Sequence, residues 1–88
     1  MEKSDVIFGK MIRAVYIEGI SSFGDIICCC YNQQYPLNAV EFSLLFLKYT
    51  HLGLCNTEMN ITMRGIDYLY DIDPHLRMQL LKGWKLHE

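Results

Sequence analysis

Apolar residues recur along this chain at helical spacing in separate stretches, and the breaks between them fall at glycine, proline and short polar runs. The first stripe, Ile7, Phe8, Met11, Ile12 and Val15 with Ala14 beside it, predicts a helix capped by Ser4 or Asp5 that runs to about Glu18, where Gly19 closes it. Ile26, Ile27 and Cys30 give a shorter helix from Phe23 to about Tyr31, with Ser22 and Asp25 at the spacing of a capping box. Pro36 pushes Tyr35 out of helical geometry, so Asn32 to Leu37 is read as a connection. A third helix is expected from Ala39. There the Asn38 side chain accepts from a free N–H of the first turn, while Glu41 reaches back to the cap. This helix carries Val40, Phe42, Leu44, Leu45, Phe46, Leu47 and Tyr49 and stops at Gly53.

Past Gly53 the period shortens. Leu54 and Cys55 read as one strand, Asn56, Thr57 and Glu58 as a polar turn, and Asn60 to Met63 as a returning strand whose Ile61 and Thr62 suit a pleated surface. Helical spacing then resumes, with Ile66, Leu69 and Tyr70 at i, i+3 and i+4 after Arg64 and Gly65. Asp73 before Pro74 starts a last helix to Lys82, bearing Leu76, Met78, Leu80 and Leu81 and ended by Gly83. The expected fold is mostly α with a small β-hairpin: three helices, a short two-stranded wing, then one or two C-terminal helices, in a single domain spanning residues 1–88.

Phe46-Leu47-Lys48-Tyr49-Thr50-His51-Leu52-Gly53-Leu54, followed by Ile61-Thr62-Met63-Arg64-Gly65-Ile66-Asp67-Tyr68-Leu69, resembles the third helix, wing and following helix of the winged helix-turn-helix superfamily. The pattern of that family is an apolar helix ending in Leu-Gly-Leu, a wing, then a strand with Thr-x-x-Gly leading into a helix. The resemblance implies a winged-helix fold and a DNA-binding transcription regulator. In such a regulator the cations would be Lys48, Arg64 and, summed across a dimer, Lys10 and Arg13.

The third helix argues for another use of that architecture. At about 100° per residue, Phe42, Leu45, Phe46 and Tyr49 share the core face, while Val40, Leu44, Leu47 and His51 share the opposite one. Glu41 and Lys48 lie on one edge and Ser43 and Thr50 on the other. DNA readers place Arg, Lys, Asn or Gln where this helix places Val40, Leu44 and Leu47, because phosphate contacts and base-edge hydrogen bonds need them. From Ser21 to Ile66 the charges are Lys48 and Arg64 against Asp25, Glu41 and Glu58, 2 − 3 = −1, and the whole chain carries −2. An exposed apolar stripe fits a protein partner or a homodimer better. At 88 residues the core is near the size where self-association helps. Trp84, between Leu81 and Leu86, is expected to fold the C-terminal tail onto the body or into a second subunit.

Chemistry-bearing residues add little. Cys28, Cys29 and Cys30 are consecutive and Cys55 stands alone; neighbours on a helix point apart, so the triplet cannot converge on a tetrahedral metal, and packing in a reducing compartment is the expectation. His51, His75 and His87 have no metal-ligand spacing, and Asp67, Asp71 and Asp73 lack the glycine and terminal Glu of a calcium loop. No glycine-rich phosphate loop is present. We therefore expect no enzyme and no cofactor. With no apolar run of about 18 residues and no signal-peptide pattern, a cytoplasmic protein without a membrane segment is expected. Small size and the cysteine triplet fit a phage or mobile-element regulator, including one that blocks a host protein.

Overall fold

A computed structural model describes residues 2–87, and side chains from residue 2 to residue 83. It contains α1 (Lys3–Tyr16), α2 (Phe23–Cys30), α3 (Ala39–His51), α4 (Met63–Ile72) and α5 (Pro74–His87). The first helix is the centre of the molecule. Ile7, Phe8, Met11 and Ile12 have no exposed surface, because α2, α4 and α5 all pack on α1 and cover its apolar stripe. Around them lie Ile26 and Cys30 of α2, Ile66 and Leu69 of α4, and Leu76 and Leu80 of α5. Phe8 meets Tyr49 and Tyr68 edge-on, at ring-centre distances of 5.0 and 6.0 Å.

Cap chemistry sets several helix starts. Asn38 Oδ1 accepts from the Glu41 N–H at 2.8 Å, Thr62 Oγ1 from the Gly65 N–H at 3.0 Å, and Asp73 Oδ1 from the Leu76 N–H at 3.1 Å. Two expected capping boxes do not close. The Glu41 carboxylate turns away from Asn38 to take the Lys3 ammonium at 2.9 and 3.0 Å, and Ser22 makes no side-chain cap bond. The α1 start also differs: Glu2 occupies the cap, and Ser4 and Asp5 lie within the first turn. This extension places Lys3 where it reaches both Glu41 and the Pro36 carbonyl. At the far end, α5 continues past Gly83 to His87. The expectation for Trp84 lies outside the described residues.

The two-stranded wing is not formed, and the winged-helix expectation is corrected accordingly. Among the described residues there is no strand, only a single antiparallel bridge between Cys55 and Ile61. The reason is length and burial. Gly53 is spent closing α3 at φ +76°, with the Leu54 N–H on the Tyr49 carbonyl at 2.9 Å, and Thr62 is already the cap of α4. Between them Asn56 folds the chain into a tight turn: its Oδ1 accepts from the Glu58 and Asn60 N–H groups, and Met59 takes φ +64°. Nor does this segment project as a wing would. Leu54, Cys55, Met59 and Ile61 are all buried and plug the core, and the Ile61 N–H donates to the Tyr16 hydroxyl at 3.0 Å. The β-branched character of Ile61 and Thr62 is overridden by tertiary burial and by the cap.

Candidate protein-contact face on the third helix

The inner side of α3 ties it to the body. Phe42 and Tyr49 are buried, Phe42 packs edge-on against Phe23 at 5.2 Å, and the Tyr49 hydroxyl donates to the Ser4 carbonyl at 2.6 Å. Burial raises the Tyr49 hydroxyl far above its ordinary pKa, so it acts here as a neutral donor. Leu45 and Phe46 are only half-buried, at the margin between the two sides.

Among the described residues the outer side is largely uncovered. Val40, Leu44 and Leu47 are 72%, 63% and 66% exposed, more than any other large apolar side chain on α3, and His51 continues their line as an exposed residue. Val40, Leu44 and Leu47 line an open, mainly apolar groove of about 440 Å³ together with Ser43, Phe46, Thr50 and Thr57. Helix periodicity located Val40, Leu44 and Leu47. It does not locate Phe46, which it places on the core face, or Thr57, which the buried turn carries up to the groove edge. The signal for Phe46 is its place four residues before Thr50, which sets it beside that edge of the helix.

The four candidate DNA cations occupy two different places. Arg13 is bound to Asp73 Oδ2 at 3.1 Å and to Gln79, and with Lys10 it lines a cleft shared with Asp5 and Asp73. Lys48 is exposed on α3, and Arg64 donates to the Leu52 carbonyl at the C-terminal end of that helix, at 3.3 Å. Asp5 and Asp73 thus offset the α1 pair, and Arg64 is occupied with closing α3.

Cysteine placement follows the divergence of neighbours on a helix. Cys28 is exposed, Cys29 half-buried and Cys30 buried, while Cys55 sits in the core plug. Burial pushes the Cys30 thiol up to about 12 and the Cys55 thiol up to about 11, so both are protonated and unreactive near neutrality. Among the described residues no three His, Cys, Asp or Glu side chains gather as a metal site would require. No described helix is long and apolar enough to cross a membrane.

No family model, curated protein or solved structure matches this chain.

Proposed function

We propose that this chain is a non-catalytic helical module that works by protein contact through the outer face of α3. The observation that carries the reading is the continuous stripe of Val40, Leu44 and Leu47, about two-thirds exposed on a helix already anchored by its other side. Full burial of such a side chain is worth about 1.5–3 kcal/mol, so the remaining exposure offers about 1–2 kcal/mol each. With a partner face of equal size the gross gain is about 6–12 kcal/mol. Association itself costs about 4–15 kcal/mol, so the contact is weak and exchanging, micromolar or looser. Nucleic acid is disfavoured by charge: the face holds one cation, Lys48, beside Glu41.

The test uses two probes on methyl-labelled protein. A neutral amphipathic leucine peptide should shift the Val40, Leu44 and Leu47 methyl signals, and Leu44→Glu with Leu47→Glu should abolish the effect. A random duplex should bind negligibly at about 50 and 200 mM salt. The reading fails if the peptide leaves those methyls unmoved, or if the duplex binds with a steep salt dependence that Lys48→Ala and Arg64→Ala remove.

A further inference from the structure

The geometry points to a second copy of this chain as the occupant of the α3 face, with the two α3 helices packed antiparallel about a two-fold axis. This step rests on the protein-contact reading above. Val40, Leu44, Leu47 and His51 are spaced four, three and four residues apart, the alternation of a coiled-coil seam. Centred between Leu44 and Leu47, an antiparallel pair sets Leu44 against the partner's Leu47 and Val40 against the partner's His51. The end polar residue then favours that one register.

The edges of the stripe select the orientation. Glu41 is the only acidic residue of α3 and Lys48 its only Lys or Arg, and each immediately follows a seam residue, Val40 and Leu47. In an antiparallel pair these equivalent edges face each other, so Glu41 of each copy meets Lys48 of the other, twice by symmetry. On the opposite edge Ser43 meets Thr50 with no charge at all. A parallel pair would instead set Glu41 and Lys48 beside Ser43 and Thr50, with no charge matched. The Glu41 side chain remains 42% exposed while bound to Lys3, so it can accept a second cation. Antiparallel helices also oppose their dipoles.

Sedimentation equilibrium from about 1 µM to 1 mM tests this. Wild type should show a reversible monomer–dimer equilibrium, and Leu44→Glu with Leu47→Glu should be monomeric throughout. Lys48→Glu and Glu41→Lys should each associate roughly 5- to 30-fold more weakly at low salt, with a smaller deficit at high salt. An equimolar mixture of those two variants should recover association as a heterodimer, because each copy then meets only opposite charges. Should Glu41→Lys lose its fold by circular dichroism, Lys48→Glu must still weaken association more than Lys48→Gln. A mixture that stays monomeric, a charge reversal no worse than neutralisation, or a dimer that survives the double leucine change overturns the proposal. Wild type monomeric at every concentration, with the peptide still shifting the α3 methyls, overturns the second copy and leaves the protein-contact reading standing. Monomeric wild type without those shifts overturns both.

Discussion

Gly65→Ala isolates the contact that replaces the wing. A Cβ at Gly65 would lie 2.5 Å from Ile61 Cγ1, 3.1 Å from the Leu54 carbonyl carbon and closer still to its oxygen. Two of these three atoms are backbone, so a side-chain rotation cannot relieve the clash. The first turn of α4 must move away from the 54–61 segment. That segment is held by the Thr62 N–H on the Leu54 carbonyl at 3.1 Å and by the Thr62 hydroxyl on the Gly53 carbonyl.

Three terms set the magnitude. Alanine gains about 1 kcal/mol of helix propensity over glycine. Overpacking costs about 1–3 kcal/mol or more, and disturbing the Thr62 cap and its backbone bond costs about 1 kcal/mol each. The net loss is about 2–4 kcal/mol, out of a stability of roughly 4–13 kcal/mol for a domain of this length. At about 4–8 °C per kcal/mol, the melting temperature should fall by about 8–32 °C. Thermal and urea unfolding followed by circular dichroism measures it. Gly24→Ala is the matched control: its Cβ would meet nothing nearer than Ser22 Oγ at 4.0 Å, so it should melt at or slightly above wild type. A Gly65→Ala protein as stable as the control would refute the close packing of α4 on the core plug.

Asp73→Ala removes both the α5 cap and the partner of Arg13, and should cost about 1–2 kcal/mol in urea unfolding; Arg13→Ala, which spares the cap, should cost less. A thiol reagent at neutral pH should modify Cys28 at once and reach Cys30 and Cys55 only as the protein unfolds. The two buried thiols hold their protons more tightly folded than unfolded, so their contribution is whole below about pH 8.5, the ordinary thiol value. It is lost as pH climbs toward the folded values of about 11 and 12. Melting temperature should therefore decline from about pH 8.5 upward, and Cys30→Ala, though less stable, should show a flatter decline. An unchanged slope in that variant would contradict the burial of Cys30.

What the residues announced in advance was what neighbours in sequence decide. Asn38, and Asp73 before Pro74, cap helices through bonds to backbone three residues on, and such chemistry is visible in a short window. Gly53 likewise ends α3 through the chain beside it. The failures came where a distant residue changed the outcome. Glu41 has capping-box spacing, yet Lys3, 38 positions away, takes its carboxylate. Ile61 and Thr62 have strand character, yet Thr62 serves as a cap and Ile61 is drawn under Tyr16, so one bridge remains of a hairpin. On the candidate face, the angle per residue was enough to find Val40, Leu44 and Leu47. Thr57 was out of reach of that arithmetic, since only the folded turn brings it to the groove.

Losing the wing strengthens the case for α3 as the working element. In a winged helix, a projecting hairpin would share the recognition surface, and its charges would enter the electrostatic argument. Here the corresponding segment is consumed by the core: Leu54, Cys55, Met59 and Ile61 are buried, and Gly65 locks α4 against them. Asn56, Thr57, Glu58 and Asn60 are what that turn leaves at the surface, and none is a cation. Meanwhile Phe42, Tyr49 and the Lys3–Glu41 bridge hold α3 in place, with Leu45 and Phe46 packed at its margin, and Val40, Leu44 and Leu47 lie outside the buried core. Stability and the proposed contact therefore fall on opposite sides of one helix. Polar substitutions on the outer side should therefore weaken association while leaving the melting temperature of the monomer, taken at low protein concentration, unchanged.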